Sequence, residues 1–287
     1  MKSLIISTIC MLSIGLVAKQ QPASITVGFI PPGYHKEHQE KILKFAELLQ
    51  EQIGVQVNVY LPKSYNSLVQ ALKTKKVDFA FLTSMTYVIA EKEAGAKVLL
   101  RKVWEQRDYY FSSLIVREGS TIKSLSDLKA KRIAFVDRNS TSGFLYPKVA
   151  LHNKGLKESD FSKVVYAKNH KAAVEALRKG EVDVAAVFAS DEQGKTGAWT
   201  HLYDKKQAMK SIWTSKHIPS DPFVVRNSFY EKNPKLAHEI MFVLKEMSNQ
   251  KKNKALKDLL DIDRVELATS SQYDIVREMV IKLNLKL

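Results

Sequence analysis

Three consecutive hydroxyl residues, Ser140, Thr141 and Ser142, lie directly before Gly143 and follow a short apolar run and the polar residues Asp137-Arg138-Asn139. The residues after Gly143 are predicted to form a helix. Serine and threonine cap a helix well, because their side-chain oxygens accept hydrogen bonds from the free amides of the first turn. A single cap needs only one hydroxyl, so the surplus hydroxyls and amides could hold an oxyanion at the positive end of the helix dipole. An ordinary cap in a polar loop and an anion site both remain open.

A hydrolytic site is a second interpretation of the same region. Ser140 or Ser142, together with His170 and Asp183, supplies the residue types of a nucleophile, a base and an orienting acid. The chain contains no G-x-S-x-G sequence, so the sharp turn that usually exposes a nucleophilic serine in an α/β hydrolase is missing. The pattern therefore favours binding over catalysis.

Metal and nucleotide sites find little support. His35 and His38 are three residues apart at a predicted helix start, a spacing compatible with a metal, but nothing nearby completes a tetrahedral set. The chain has neither a G-x-x-x-x-G-K-[ST] loop nor a G-x-G-x-x-G turn. We therefore predict no cofactor and no metal.

Three further residues could face a small solute. Tyr65 and Tyr87 each stand near the start of a predicted helix, where a phenol can point into a cleft. Asp221 lies between two prolines in a rigid loop beside an extended segment. Each also has an ordinary interpretation, as an amphipathic surface residue or as a turn former.

The elements that must position these residues alternate between strand and helix, which predicts an α/β fold with parallel sheets. One internal repeat stands out. Ala71-Leu72 with Val77-Asp78-Phe79-Ala80 matches Ala176-Leu177 with Val182-Asp183-Val184-Ala185, every position offset by 105 residues. Two similar α/β lobes would explain the repeat, although helix–turn–strand units also favour these residue types by chance.

The N-terminus resembles a secretory signal. Lys2 precedes an apolar segment that is short for a membrane span, and we expect cleavage after Ala18, with an uncleaved anchor as the alternative. The single cysteine, Cys10, lies within this segment, so the exported chain would contain no disulfide or thiolate. The formal net charge of +15 is spread along helices, which indicates a solvated basic surface and no nucleic-acid partner.

Taken together, these motifs resemble the periplasmic phosphate, phosphite and phosphonate-binding proteins of ABC transporters, which are type II periplasmic binding proteins. The resemblance covers nearly all of the chain after the signal segment. It rests on Ser64-Tyr65, Ser84-Met85-Thr86-Tyr87, Asp137 with Ser140-Thr141-Ser142-Gly143, Asn169-His170, and Ile218-Pro219-Ser220-Asp221-Pro222.

The resemblance implies a set of ligand-binding residues around a phosphonate-type oxyanion: Tyr65, Tyr87, Ser140, Thr141, Ser142, His170 and Asp221. A protonated His170 would add a cationic donor. Family members that bind aminoalkyl phosphonates use two acids for the amine. Asp221 corresponds to one, and the other would fall among Ser190, Asp191 and Glu192. If Ser190 occupies that position, amine recognition is in doubt.

The resemblance also implies an architecture and partners. One lobe would comprise residues 24–112 and 222–287, the other residues 113–221, with a hinge and a ligand cleft between them. We expect a monomer in the periplasm that delivers its ligand to a membrane permease powered by a separate ATPase. A ligand-sensing partner of a histidine kinase is the alternative.

Overall fold

The computed structural model describes residues 21–30, 36–201, 208–248 and 255–285. The expected signal segment 1–18, with Cys10, lies outside the described residues, and so does His35. Across the described ranges, we find no helix with the length and apolar character that crossing a membrane requires.

Strands and helices alternate along much of the chain, as the sequence predicts. The strands are β1 (Ser24–Phe29), β2 (Gln56–Tyr60), β3 (Phe79–Phe81), β4 (Ala96–Val103), β5 (Tyr109–Arg117), β6 (Arg132–Phe135), β7 (Lys163–Tyr166), β8 (Val184–Ala189), β9 (Met209–Thr214), β10 (Ile218–Pro219), β11 (Pro222–Arg226) and β12 (Arg264–Leu267). The helices are α1 (Lys36–Ile53), α2 (Tyr65–Lys73), α3 (Ser84–Ala94), α4 (Tyr146–Asn153), α5 (His170–Arg178), α6 (Ala198–His201), α7 (Asn227–Tyr230), α8 (Pro234–Met247), α9 (Ala255–Leu260) and α10 (Asp274–Lys282).

The first sheet has the strand order β12-β4-β11-β3-β1-β2. Strand β1 runs parallel to β2 and β3, whereas β11 runs antiparallel to β3 and β4, and β12 runs antiparallel to β4. Phenylalanines fill its core: the rings of Phe79 and Phe223 stack 5.7 Å apart, and Phe29 stacks on Phe81 at 5.4 Å. Helices α1 and α8 cover this aromatic face.

The second sheet has the order β10-β5-β8-β6-β7, and β9 also pairs with β5. Strand β6 is parallel to β7 and β8, while β5 is antiparallel to β8, β9 and β10. Both sheets are therefore mixed, and the prediction of parallel sheets holds only for their β1–β3 and β6–β8 parts. Four of the antiparallel strands flank the two passages of the chain between the sheets: β4, β5, β10 and β11.

The chain passes from one sheet to the other in two short stretches. The first joins β4, which ends at Val103, to β5, which begins at Tyr109. The second joins β10, which ends at Pro219, to β11, which begins at Pro222. Strand β5 lies wholly in the second sheet, so the change of sheet precedes residue 112 by several residues.

The internal repeat corresponds to a shared structural device. The Asp78 carboxylate accepts a hydrogen bond from the amide of Thr26 on β1 at 3.0 Å. The Asp183 carboxylate accepts one from the amide of Arg132 on β6 at 2.9 Å. Each aspartate thus binds the backbone of the neighbouring parallel strand. Each also pairs with an arginine at 2.6 Å, Asp78 with Arg226 and Asp183 with Arg132.

Candidate functional site

A cavity of about 560 Å³ opens between the two sheets. This volume lies within the range of small-molecule sites. It is lined by both halves of the chain: Ile30, His38, Tyr65, Thr83, Lys102, Trp104, Tyr109, Tyr110, Ser140, Thr141, Ser142, Asn169, His170, Lys171, Phe188, His201, Ser220, Asp221, Leu260, Asp261 and Ile262. Six of the seven predicted site residues therefore meet in one cavity.

The three hydroxyl residues line the cavity, at the start of a wide π-type turn over Thr141–Leu145 that leads into α4. This turn replaces the first part of the helix that the sequence predicted from Gly143. Ser140 caps the turn, because its Oγ accepts a hydrogen bond from the amide of Gly143 at 3.1 Å. The hydroxyl of Ser140 keeps its own proton for donation. We call Ser140, Thr141 and Ser142 the hydroxyl turn.

The hydroxyl turn also touches the opposite side of the cleft. The Thr141 Oγ1 accepts a hydrogen bond at 2.9 Å from the amide of Met85, at the start of α3. The carbonyl of Ser142 accepts one at 2.6 Å from the hydroxyl of Ser112, which lies on β5. These bonds fix the turn from two directions. The Thr141 hydroxyl, like that of Ser140, retains a proton that it can donate into the cavity.

Two phenols lie beside the hydroxyl turn. Tyr65 begins α2, which Ser64 caps by accepting the amide of Ser67 at 3.2 Å. Burial raises the pKa of the Tyr65 phenol well above its usual range, and nearby carboxylates raise it further. Burial also raises the pKa of Tyr110 on β5, although the hydroxyls of Thr141 and Ser142 partly oppose this rise. Both phenols are therefore neutral hydrogen-bond donors at pH 7.

Tyr87, in contrast, does not line the cavity. Thr83 caps α3, and Tyr87 lies on a face of this helix that packs inward, with its ring 4.8 Å from that of Tyr273. Its hydroxyl donates to the Glu91 carboxylate at 2.6 Å. The structure thus separates Tyr87 from the other predicted site residues. The phenol that accompanies Tyr65 belongs to Tyr110, which the sequence analysis did not single out.

His170 begins α5, and the side chain of Asn169 caps this helix by accepting the amide of Ala172 at 2.8 Å. The backbone amide of Phe188 donates to Nδ1 of His170 at 3.3 Å. Burial lowers the pKa of His170 to about 4. The imidazole is therefore neutral at pH 7 and carries its proton on Nε2. It is a neutral donor, which corrects the expectation of a cationic one.

Asp221 lines the same cavity on the stretch between β10 and β11. The Nζ of Lys102 lies 3.6 Å from its Oδ2. Burial raises the pKa of this carboxyl group, and the Lys102 ammonium partly opposes the rise.

The segment expected to supply a second acid turns away from the cavity. Ser190 is buried and its Oγ lies 2.9 Å from Nε2 of His201. The Asp191 carboxylate accepts hydrogen bonds from the amides of Lys195 and Thr196 at 3.0 and 2.7 Å, so it closes its own loop. Neither Asp191 nor Glu192 is among the cavity-lining residues.

The rival sites are not assembled. Asp183 holds Arg132 at the start of β6 and does not line the cavity, so it cannot orient His170. His38 lines the cavity, but the described ranges contain no group of three or more His, Cys, Asp or Glu side chains that could hold a metal.

A family model and individual known proteins indicate the same family. Residues 27–273 match the family model described as the periplasmic substrate-binding protein of the phosphonate ABC transporter. The chain is 30% identical over 220 residues to the phosphonates-binding periplasmic protein of Escherichia coli K12, a match that covers 75% of this chain but only 64% of that protein. It is 24% identical over 275 residues to the probable ABC transporter phosphite-binding protein PhnD1 of Prochlorococcus marinus MIT 9301, covering 92% of this chain and 91% of that one.

Solved structures show the same fold. The structure of PhnD1 from Prochlorococcus marinus in complex with methylphosphonate superposes with a TM-score of 0.79 at 22% identity, over 92% of this chain and 99% of that one. A binding-protein component of an ABC phosphonate transporter from Pseudomonas aeruginosa gives 0.78 at 24% identity, over 92% and 87%. This chain therefore shares the two-lobed architecture of type II binding proteins with both structures.

Proposed function

The chain belongs to the periplasmic substrate-binding proteins of phosphonate ABC transporters, and from that premise we propose that it captures a phosphonate, phosphite or phosphate-type oxyanion in the cleft between its two sheets. One observation carries this proposal. Neutral hydrogen-bond donors from both halves of the chain line a single cavity: Tyr65, Tyr110, Ser140, Thr141, Ser142 and His170.

Such a donor set suits an oxyanion with three equivalent oxygens. Hydrogen bonds to an ionised acceptor are shorter and stronger than bonds between neutral groups. Phenols and hydroxyls that are held in place by burial and by the contacts of the hydroxyl turn need little reorganisation when the ligand arrives. The positive surface charge of the chain, +15 in total, would draw an anion towards the cleft from a distance.

The two sheets would act as lobes that close on the ligand. We place one lobe at residues 24–103 and 222–285, and the other at residues 109–219, which moves the first expected boundary from 112 to the β4–β5 connection. Closure would be the hinge motion of periplasmic binding proteins. The hinge would then consist of the two short connections around residues 104–108 and 220–221.

We propose a ligand without an amine. A cationic arm needs carboxylates to receive it, and Asp221 already has the Lys102 ammonium at 3.6 Å. A ligand ammonium beside Asp221 would meet this like charge. The segment with Ser190 and Asp191 offers no second carboxylate to the cavity. Alkyl phosphonate, phosphite and phosphate fit these charges better than an aminoalkyl phosphonate does.

The remaining parts of the proposal concern partners and location. A separate permease and ATPase would supply the transport energy, and this chain would act as a monomeric receptor rather than as an enzyme. The segment 1–18 would direct its export to the periplasm.

Calorimetric titration with methylphosphonate, phosphite and phosphate tests the proposal. We expect Ser142→Ala and His170→Ala each to weaken binding tenfold or more, which corresponds to about 1.4 kcal/mol. Ser162→Ala and His152→Ala are matched controls, because both residues are exposed and neither lines the cavity. Unchanged affinity in both site variants would refute the assignment of the hydroxyl turn and His170 to the anion-binding site. A wild-type protein that binds none of the three anions would refute the function.

A further inference from the structure

Large apolar side chains line the same cavity as the hydrogen-bond donors. They include the rings of Trp104 and Phe188 and the aliphatic side chains of Leu260 and Ile262. An oxyanion gains nothing from such groups, because its oxygens need hydrogen-bond donors. Capture of a bare anion therefore leaves this part of the cavity without a role.

The polar atom of Trp104 is already occupied by the protein. Its Nε1–H donates to the Asp261 carboxylate at 3.2 Å. Its backbone amide and carbonyl both pair with Arg107 at 3.0 Å. Because an indole nitrogen can only donate, no donor of this side chain remains for a ligand. The part of Trp104 that can meet a ligand is its apolar ring, and the residue is only half-buried.

Two rings from the second sheet and its connections stand against the indole. The ring centroid of Phe188 lies 6.4 Å from that of Trp104, with the planes at 88°. The imidazole of His201 lies 5.1 Å from the indole at 74°, and its Nε2 is 2.9 Å from Oγ of Ser190. The planes of Phe188 and His201 are within 19° of parallel. We call Trp104, Phe188 and His201 the aromatic corner.

The aromatic corner adjoins the hydroxyl turn. Phe188 on β8 pairs directly with Ser112 on β5, and directly opposed residues carry their side chains on the same face of a sheet. The hydroxyl of Ser112 donates to the carbonyl of Ser142 at 2.6 Å. The ring of His170 lies 5.1 Å from that of Phe188. A ligand held by the hydroxyl turn and His170 can therefore extend its substituent onto the ring of Phe188.

The cavity is also larger than a small anion requires. Its volume of about 560 Å³ belongs to the range of about 300–1,000 Å³ in which proteins enclose drug-sized molecules. Methylphosphonate is far smaller than such a molecule. A flat ring can stack on one member of the aromatic corner and meet another edge-on, which are the two arrangements that aromatic pairs prefer.

We propose that the ligand is a phosphonate-type oxyanion that carries a flat aromatic substituent, and that the aromatic corner binds this substituent. The inference rests on the proposed function and names the chemical class of the group attached to the anion. Covering the half-buried rings of Trp104 and Phe188 would release water from apolar surface, which favours binding.

Phenylphosphonate and methylphosphonate are the matched probes, because they share the anion and differ only in the substituent. One methylene group in a hydrophobic pocket changes affinity by about 10–200-fold, so the wild-type protein should prefer phenylphosphonate at least tenfold in calorimetric titration. Trp104→Leu and Phe188→Leu keep an apolar side chain but remove the ring, and each should lower this preference by about threefold or more. Phe242→Leu should leave it unchanged, because Phe242 is exposed and does not line the cavity.

The ratio of the two affinities isolates the substituent. A change in lobe closure or in the stability of a variant affects both probes and cancels in this ratio. Equal wild-type affinity for the two probes, or an unchanged preference in both ring variants, would overturn the inference while the proposed function stands. If the wild-type protein bound neither phosphonate, nor phosphite, nor phosphate, both would be overturned.

Discussion

Gly143 directly follows the hydroxyl turn, and the surrounding residues leave no space for a side chain at this position. A methyl carbon added to Gly143 would lie 2.4 Å from Cγ2 and 2.5 Å from Cβ of Val136, and 2.9 Å from Oγ of Ser140. Non-bonded carbon atoms prefer separations of about 3.5–4.0 Å. Val136 is fully buried, so it has no open space into which to move.

The backbone of the turn must therefore shift in Gly143→Ala. Overpacking of this kind costs about 1–3 kcal/mol of folding free energy. In a protein of this size, each kcal/mol lowers the melting temperature by about 2–4 °C. The shift also stretches the 3.1 Å hydrogen bond from the Gly143 amide to Ser140, which fixes one of the proposed donors. We expect a tenfold or greater loss of methylphosphonate affinity, or about 1.4 kcal/mol.

Thermal unfolding and calorimetric titration of the same variant measure the two effects. Gly119→Ala is the control, since a methyl group there meets no atom within 4 Å and the backbone needs no unusual angle. This control should keep both its melting temperature and its affinity. If Gly143→Ala matched Gly119→Ala in both measurements, the hydroxyl turn would be neither tightly packed nor the place where the ligand binds.

Three further predictions follow from the contacts described above. Tyr110→Phe should weaken methylphosphonate binding about tenfold. Tyr87→Phe should keep full affinity and lose about 1 kcal/mol of stability, because it loses the hydrogen bond to Glu91. The opposite ranking of the two affinities in calorimetry would contradict the assignment of Tyr110 to the binding site. Asp78→Ala should cost about 3–5 kcal/mol in urea unfolding, because it removes the carboxylate partner of Arg226, whose side chain is only 11% exposed. Asp183→Ala should cost about 1 kcal/mol, because its ion pair with Arg132 is more exposed. Equal losses would refute this comparison. The pKa of His170 is about 4 in the folded protein, below the unfolded value of about 6.5, so its contribution to stability is fully present above pH 6.5 and falls by up to about 3 kcal/mol as the pH drops to 4. In urea unfolding, His170→Gln should lack this part of the loss. A pH dependence identical to that of the wild-type protein would exclude His170 as its source.

Much of the fold could be predicted because it follows from local patterns. The sequence predicts helices that begin near Tyr65 and near Tyr87, and the structure has α2 from Tyr65 and α3 from Ser84. The offset of 105 residues between Asp78 and Asp183 indicated two similar lobes, and the structure gives the physical reason. In each sheet the aspartate of the Val-Asp-x-Ala sequence accepts a hydrogen bond from a backbone amide of a neighbouring parallel strand.

The site was harder to predict, because it depends on which face of an element meets the cleft. Tyr87 lies near the start of a well-capped helix, but that helix is buried on nearly all sides. The phenol of Tyr87 therefore contacts Glu91 and Tyr273. Tyr110 lies in the run Tyr109-Tyr110-Phe111, where alternation along a strand does not show which residues meet the cleft. In the structure Tyr109 and Tyr110 both line the cavity. The charge state of His170 likewise depends on burial by residues distant in the sequence.

Net charge and binding chemistry are separate properties of this protein. The chain carries a formal net charge of +15, yet the imidazole of His170 is neutral at pH 7 and the Lys102 ammonium lies beside Asp221. Neutral hydroxyl and phenol donors exert little attraction over distance, so their contribution depends on the positions in which the fold holds them. Dispersed lysines act mainly on the rate of approach. Specificity for a phosphorus oxyanion would then depend on residues that fix the hydroxyl turn, and Gly143 would determine affinity by leaving room for the turn.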